Sequence, residues 1–274
     1  MRSLFLLGYR KERGLPKPQR VVFRLATVLC LGAGSFRQAC PQQHKELRVA
    51  AAADLQPVLP ILAAEYEKSK DIKLVISYGS SSTLTTQILN GAPIDIFLAA
   101  DFVFPEKIVA AGKSDMTAPT AYAKGSLVLW ARKDSPLQPI SIFSLTDKRV
   151  TSIAIADEFH APYGRAAVSA LNRMKMYEEV KPHLVVAENI SQAGQFVESG
   201  NAQLGLISLT MASTDHFKGL GTYVLVPTVY PEIRQCAVVM KTDRATDAHL
   251  FLDWLLSSGV QDRLSGFGLT RIPR

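Results

Sequence analysis

The stretch LRVAAAADL, residues 47–55, is the part of the sequence from which the fold can be read. Its apolar run, residues 47–53, has the length and composition of a strand buried on both faces of a parallel sheet. Apolar residues then recur at helical spacing over residues 55–68, which predicts a helix directly after the strand. Asp54 stands at the junction, where the small residues before it let a ligand approach the backbone.

Strand and helix signals alternate in the same way along the rest of the chain. Residues 73–78 predict a second strand, and the polar loop GSSST, residues 79–83, leads into a helix. The pattern restarts near residue 126 and continues to the C-terminus. Repeated units of this length predict an α/β protein with two lobes, each a mostly parallel sheet flanked by helices, and a ligand cleft between them.

The positive charge of the chain is concentrated at its N-terminus. Residues 1–35 hold seven basic residues and one acidic residue, and so account for +6 of the formal net charge of +7. The remainder is nearly neutral, so nucleic acid is not an expected partner. The basic stretch precedes an apolar run and small residues, which predicts a signal peptide at residues 1–35, a linker at residues 36–46 and export to the periplasm. Acylation of Cys40, with a leader ending at Ala39, is the alternative.

Cysteine and catalytic motifs do not point to a metal centre or an enzyme. Cys30 belongs to the leader, and Cys236 lies in an apolar strand, which favours a buried free thiol over a disulfide with Cys40. The sequence contains no CxxC motif, no Cys/His cluster, no GxSxG and no HExxH. We therefore expect no catalytic residues, no metal ligands and no cofactor.

Four junctions place polar residues at the start of a helix, at residues 51–55, 79–83, 160–164 and 189–191. Helix N-termini present unpaired N–H groups and a partial positive charge, which suit anions. Asp54 and the serines are also ordinary helix caps. His160 lies near an exposed loop, where a histidine is more often a surface residue than a ligand. Four polar helix starts without a catalytic set favour binding over catalysis.

Three segments together resemble a known family. AAADL at residues 51–55, SSSTL at 80–84 and NGAPIDIF at 90–97 are similar to the periplasmic molybdate-binding proteins of ABC importers. The resemblance implies a type II solute-binding fold, with one lobe of residues 47–122 plus 236–274, a second of residues 125–226, and a hinge crossover at 227–235. It also implies a monomer that binds molybdate or tungstate and docks on an ABC permease, with any other membrane contact limited to a lipid on Cys40.

The resemblance further implies a set of oxyanion ligands. Ser81 would give its hydroxyl and backbone N–H, and Ile190 would give its backbone N–H. Asp54 stands where many members have a serine and Ser208 where many have a tyrosine, so the phenolic O–H of Tyr163 is expected to substitute for the missing one. Molybdenum itself is expected to bond to no residue. The expected ligand-binding residues are Ala53, Asp54, Ser81, Tyr163 and Ile190, with Ser80, Ser82 and Ser208 as a second tier.

Asp54 conflicts with a bare dianion, because an ionised carboxylate and the dianion both only accept hydrogen bonds. At about 4 Å and an effective dielectric of about 20, each unit of like charge costs about 4 kcal/mol. Three arrangements resolve the conflict, in this order of preference. The carboxylate turns away to cap its own helix; it is protonated, its pKa raised by the anion; or the ligand carries a proton, as hydrogen phosphate or arsenate does.

Other functions stay open at this point. The chain is alternatively a receptor for phosphate, arsenate, sulfate or an organic acid. Arg165 follows the Pro-Tyr-Gly turn and could clamp an organic carboxylate, although a helix-surface arginine is the favoured interpretation. A hydrolase needs a nucleophile and a base. Ser81 is the one plausible nucleophile, and no histidine is placed to activate it.

Overall fold

A computed structural model of the chain describes residues 45–272. The predicted signal peptide, Cys40 and the linker up to residue 44 lie outside the described residues. The described part contains two five-stranded sheets with helices packed against them, which confirms the predicted α/β class. Within it, no helix is both long and apolar enough to span a bilayer.

The two sheets have the same strand arrangement. Along the chain the ten strands of the two sheets are β1 (Lys45–Ala52), β2 (Ile72–Gly79), β3 (Ile96–Ala99), β4 (Thr120–Gly125), β5 (Leu127–Arg132), β6 (Ile153–Ala156), β7 (Leu184–Ala187), β8 (Leu204–Ser208), β9 (Gly221–Leu225) and β10 (Ile233–Val239). The first sheet has the order β2-β1-β3-β10-β4 and the second β7-β6-β8-β5-β9.

Each sheet is mostly parallel, as predicted, but mixed, because four of its strands run in one direction and one is reversed. β1 is parallel to β2 and β3, and β6 is parallel to β7 and β8. The fourth strand of each sheet, β10 or β5, runs antiparallel to both of its neighbours. These strands follow the two passages of the chain between the sheets, from β4 into β5 and from β9 into β10. Strand periodicity does not report direction, so the sequence could not show this reversal.

The helices lie between and around these strands. α1 begins at Leu59, not at residue 55 as predicted, because a short 3-10 helix, Ala53–Leu55, follows β1 and Pro60 fits only the first turn of an α-helix. The α-helices are α1 (Leu59–Lys70), α2 (Ser81–Leu89), α3 (Val103–Ala110), α4 (Pro162–Arg173), α5 (Tyr177–Val180), α6 (Ile190–Glu198), α7 (Leu209–Ala212), α8 (Asp215–Leu220), α9 (Ala245–Leu255) and α10 (Ser258–Gly266).

The core explains why the central strands β1, β3 and β6 are mostly apolar runs. In β1, Val49 and Ala51 face a cluster that includes α1 and α9, whereas Ala50 belongs to a separate cluster with α2 and α3 on the other face. A sheet covered on both faces needs apolar residues at every position. Cys236 in β10 is fully buried, and its thiol donates a hydrogen bond to the Asp101 carbonyl oxygen at 2.9 Å.

Gly164 sets how closely α4 packs on the second sheet. A Cβ atom at this position would collide with the backbone oxygens of Ala156, at the end of β6, and of Asp157. The glycine therefore lets the first turn of α4 sit directly against the carboxyl end of the strand. The N-terminus of α4 is thereby held at the edge of the sheet where ligands bind in α/β proteins.

We expect Gly164→Ala to lower the free energy of unfolding by roughly 1–3 kcal/mol, because the added methyl group must push α4 away from β6. Gly259→Ala in α10 is the matched control, since Gly259 is exposed and a Cβ there meets nothing within 4 Å. It should be neutral or stabilising by up to about 1 kcal/mol. Denaturant unfolding measures both variants. A Gly164→Ala protein as stable as wild type would contradict this close packing.

Candidate functional site

A small cavity lies where four strand-to-helix junctions meet. It is lined by residues 52–54, 79–81, 161–163 and 189–190, together with Ala100. Two of these junctions belong to the first sheet and two to the second, so both lobes contribute to the lining. Its volume is about 10 Å³, close to the space that one water molecule needs.

Three helix N-termini are directed at this cavity, those of α2, α4 and α6. The first N–H groups of a helix have no partner within the helix, and the helix dipole makes this end positive. No lysine, arginine or histidine is among the lining residues. The cavity therefore offers neutral N–H donors to an anion and offers no cation.

Ser81 supplies a hydroxyl group to the cavity. The residue is buried, and its Oγ accepts a hydrogen bond from the backbone N–H of Ala100 at 3.2 Å. The acceptor side of the hydroxyl is therefore engaged, and its proton is available for a ligand. As the first residue of α2, Ser81 also has a backbone N–H with no partner inside the helix.

The second-tier serines have other tasks. Ser80 lines the cavity but caps α2, accepting from the Thr83 N–H at 3.2 Å and donating to its hydroxyl at 2.8 Å. The backbone N–H of Ser82 donates to the His160 carbonyl oxygen at 3.2 Å, and Ser82 does not line the cavity. Ser208 caps α7 and is likewise outside the lining, so the structure brings Ser80 alone of the three to the cavity.

Asp54 is fully buried in the 3-10 helix that follows β1. Its Oδ2 accepts a hydrogen bond from the Tyr163 hydroxyl at 3.0 Å and another from Nε2 of Gln235. The Gln235 Oε1 in turn accepts from the Tyr122 hydroxyl at 2.7 Å. The hydrogen bonds to the carboxyl group come from Tyr163 and Gln235 in distant parts of the chain, so the arrangement preferred from sequence, in which it caps its own helix, is not what the structure contains.

Tyr163 lines the cavity, but its hydroxyl proton is directed at Asp54. The sequence interpretation gave this proton to the ligand. Gly125 makes room for the hydroxyl, because a Cβ atom there would collide with it. A phenol has one proton to donate, so in this arrangement Tyr163 positions Asp54, and its contribution to an anion comes from the start of α4.

Burial controls the ionisation of Asp54. Desolvation raises the pKa of its carboxyl group to about 7, and the hydrogen bonds from Tyr163 and Gln235, with the backbone N–H of Asp54 itself, reduce the rise without cancelling it. The carboxyl group therefore changes charge in the physiological pH range. Its Oδ1 has no hydrogen-bond partner, which is uncommon for a buried oxygen.

Polar contacts join the two lobes around the cavity. Arg165 of α4 pairs with Asp101 at 2.8 Å, and the Ser191 hydroxyl donates to Gln56 at 2.7 Å. Arg165 thus forms an ion pair with a carboxylate of the other lobe, and it does not line the cavity. Burial raises the pKa of Asp101 despite this partner.

Gln235 and Tyr122 are the residues of this network that sequence reasoning missed. Gln235 is an amide in a mostly apolar strand, and it is fully buried although the preceding residue, Arg234, is exposed. That pattern was the available signal, because a buried amide needs polar partners. Tyr122 lies in β4, whose sequence TAYAKG is neither a continuous apolar run nor a strict alternation of apolar and polar residues.

Comparison with known proteins identifies the family. A family model described as bacterial extracellular solute-binding protein matches residues 47–270. The molybdate-binding protein ModA of Azotobacter vinelandii is 34% identical over 243 residues, 88% of this chain and 95% of that protein. ModA of Rhodobacter capsulatus is 32% identical over 89% of this chain and 94% of that protein. The chain belongs to the molybdate-binding family of bacterial extracellular solute-binding proteins.

A solved structure agrees with this assignment. The periplasmic molybdate-binding protein of Azotobacter vinelandii superposes with a TM-score of 0.78 at 30% identity, covering 83% of this chain and 100% of that one. Family membership confirms the predicted resemblance, the periplasmic location and the expectation of a binding protein that is not an enzyme. Among the described residues, no group of His, Cys, Asp or Glu is arranged to hold a metal ion.

The raised pKa of Asp54 has a consequence for stability. The folded chain holds this proton more tightly than the unfolded chain, whose aspartates titrate near the ordinary value of 3.8. The contribution of Asp54 to the free energy of unfolding is therefore largest below about pH 4 and is lost as the pH rises to about 7. Asp54→Asn removes this loss, because an amide does not ionise.

We expect the stability gained from Asp54→Asn to be roughly 3 kcal/mol larger at pH 8 than at pH 5, since each pH unit from pH 5 up to the Asp54 pKa of about 7 corresponds to about 1.4 kcal/mol. Denaturant unfolding at both pH values measures this difference. Asp95 is the matched control: burial opposes its ionisation, but hydrogen bonds from Arg48 and Thr242 hold its pKa below the ordinary value. Asp95→Asn should destabilise the protein at both pH values, and an equal gain from Asp54→Asn at both would contradict the raised pKa.

Proposed function

We propose that this chain captures molybdate or tungstate outside the cytoplasm and delivers it to an ABC permease. The relatives reported above carry the name molybdate-binding protein. Within this chain, the proposal rests on one observation, the meeting of three helix N-termini at a single buried cavity. Such N-termini bind anions through backbone N–H groups.

The oxyanion would be held through its oxygen atoms, with no bond between a residue and the metal. Ser81 would give its hydroxyl and its N–H, and Ile190 would give the N–H at the start of α6. Ala53 would contribute at the start of the 3-10 helix. Donors fixed to rigid helix starts favour an anion of one size and shape over others.

Entry of such a ligand would require the lobes to part. A cavity of about 10 Å³ does not admit an ion of five heavy atoms, and residues of both lobes line it. The contacts that would break on opening are Arg165 with Asp101, Ser191 with Gln56, and Ser82 with His160. Closure of the same contacts over the ligand would give the permease one distinct surface to recognise.

A second candidate is a receptor for a protonated oxyanion such as hydrogen phosphate or arsenate. The observation that favours it is the Oδ1 atom of Asp54, which is buried beside the cavity without a hydrogen-bond partner. If Asp54 is ionised, this oxygen can accept a hydrogen bond from an O–H group of the ligand. Molybdate has no proton to give at neutral pH, so the two candidates differ in the ligands they allow.

A thermal-shift panel separates the candidates. Molybdate, tungstate, sulfate, phosphate and arsenate are tested at equal concentration, and a ligand at about a thousand times its Kd adds about 4 kcal/mol of stability. For a chain of this size the Tm should rise by roughly 8–16 °C with molybdate and tungstate. A rise with phosphate or arsenate alone would favour the second candidate. No shift with any of the five would overturn both.

Ser81→Ala tests the donor set. Loss of a hydrogen bond to a charged ligand costs roughly 1.5–3 kcal/mol, so we expect molybdate affinity to fall about 10- to 150-fold in calorimetric titration. Ser82→Ala is the matched control, because Ser82 is the next residue of α2 and does not line the cavity. Its affinity should stay within about threefold of wild type. Equal losses in both variants would show that the helix start, and not the Ser81 hydroxyl, is affected.

A further inference from the structure

The two oxygen atoms of the Asp54 carboxyl group have different surroundings. Oδ2 accepts hydrogen bonds from the Tyr163 hydroxyl and from the Gln235 amide. Oδ1 has no partner, although the residue is fully buried and lines the cavity. Since Oδ2 is engaged by two donors, Oδ1 is the atom left for a ligand.

The direction of the hydrogen bonds decides which oxygen can carry a proton. The Tyr122 hydroxyl donates to Oε1 of Gln235, so the Nε2 end of the amide faces Asp54. Oδ2 therefore receives two hydrogen atoms from its neighbours and has no room for a third. A proton on this carboxyl group belongs on Oδ1, where it makes Asp54 a hydrogen-bond donor.

We propose that Asp54 binds the oxyanion as a neutral acid that donates its Oδ1–H to a ligand oxygen, so that capture of a dianion takes up one proton from solvent. The proposal rests on the proposed function, because it assumes an oxyanion in this cavity. The proton stays bonded to Asp54 and is shared with the ligand as a hydrogen bond. One negative charge is thereby removed from the cavity as the dianion enters.

The groups that face Asp54 do not replace it as the titrating group. Tyr163 on α4 and Tyr122 on β4 are phenols whose pKa burial raises well above the ordinary value, so both stay neutral. Gln235 on β10 does not ionise, and burial also raises the pKa of the neighbouring Cys236 thiol. The lining residues of α2 and α6 carry hydroxyl, amide or apolar side chains.

Asp101 is the competing carboxyl group. It follows the lining residue Ala100, and burial raises its pKa although it is paired with Arg165. His160, before α4, is more than half exposed and pairs with Asp157 at 2.7 Å. An experiment on the pH dependence of binding must therefore separate Asp54 from Asp101.

Proton uptake predicts a distinct pH profile. Above about pH 7, each pH unit should raise the molybdate Kd about tenfold, because a tenfold smaller fraction of the free protein carries the Asp54 proton. Near pH 8, close to one proton should be taken up per molybdate bound, and near pH 6 almost none. Molybdate itself carries no proton over this range.

Isothermal titration calorimetry of the intact protein with molybdate measures both quantities. The titrations are run from about pH 6 to about pH 9, in two buffers that differ in heat of ionisation, so that the proton count is read directly. In Asp54→Asn, an amide N–H stands where Oδ1–H would be, and the amide oxygen can accept the bonds from Tyr163 and Gln235. In this variant the molybdate Kd should vary by less than about threefold between about pH 6 and about pH 9, whatever its value, and no proton should be taken up.

Two further variants locate the effect. Asp101→Asn should keep the proton uptake of wild type, whatever its affinity. Tyr163→Phe removes a hydrogen bond that lowers the pKa of Asp54, so its affinity should begin to fall at a higher pH than in wild type. A tyrosine that only packed would lower affinity equally at every pH.

Wild-type affinity that is constant from about pH 6 to about pH 9, with no proton uptake, would overturn this inference alone. So would a pH dependence that is lost in Asp101→Asn and kept in Asp54→Asn. The proton count of wild type decides the matter even where a variant does not fold. Failure of wild type to bind any oxyanion at any pH would instead overturn the proposed function, and this inference with it.

Discussion

A carboxyl group buried beside a cavity at which three helix N-termini meet is the constraint on which the rest of this structure depends. A carboxylate removed from water without a cation is costly, and a second anion next to it adds to that cost. The chain responds by surrounding Asp54 with neutral donors: Tyr163 and Gln235 engage one oxygen, and Tyr122 fixes the orientation of the amide. The balance between burial and these bonds leaves the carboxyl group close to its midpoint near neutral pH.

The topology brings these residues together. Parallel strands end at the same edge of a sheet, so β1 and β2 end together in the first sheet and β6 and β7 end together in the second. The helix starts that follow these four strands line the same cavity. β10 runs antiparallel to β3, and its first residues therefore lie at this edge also. Gln235 is the third residue of β10, and the register of β10 on β4 shifts next to it, opposite the segment that contains Tyr122. The antiparallel strand β10 thus places the Gln235 amide next to Asp54 from within the sheet, whereas the parallel strands contribute to this edge through the loops that follow them.

Local pattern was sufficient for part of the site. Alternating apolar runs and polar helix starts predicted the two-lobed α/β fold and the four junctions. Within these junctions the family resemblance selected Ala53, Asp54, Ser81, Tyr163 and Ile190, and all five line one cavity. The pattern could not rank Ser80, Ser81 and Ser82, because successive residues at a helix start differ by about 100° in direction, which decides whether a hydroxyl caps α2 or faces the cavity. It could not find Gln235 either, since that residue meets Asp54 from 181 positions away, through a strand whose direction sequence does not report.

An acid and a hydroxyl are not equivalent donors at such a site. A serine hydroxyl donates a hydrogen bond at any physiological pH, whereas an aspartic acid donates only while it keeps its proton. The network around Asp54 makes sense for an acid in its neutral form, because it occupies Oδ2 twice and leaves Oδ1 to the cavity. A carboxylate meant to stay ionised would gain from donors on both oxygens and from a nearby cation, as Asp95 does from Arg48 and Thr242. The contrast between these two buried aspartates of one lobe argues that Asp54 is placed to change charge and that Asp95 is placed to keep it.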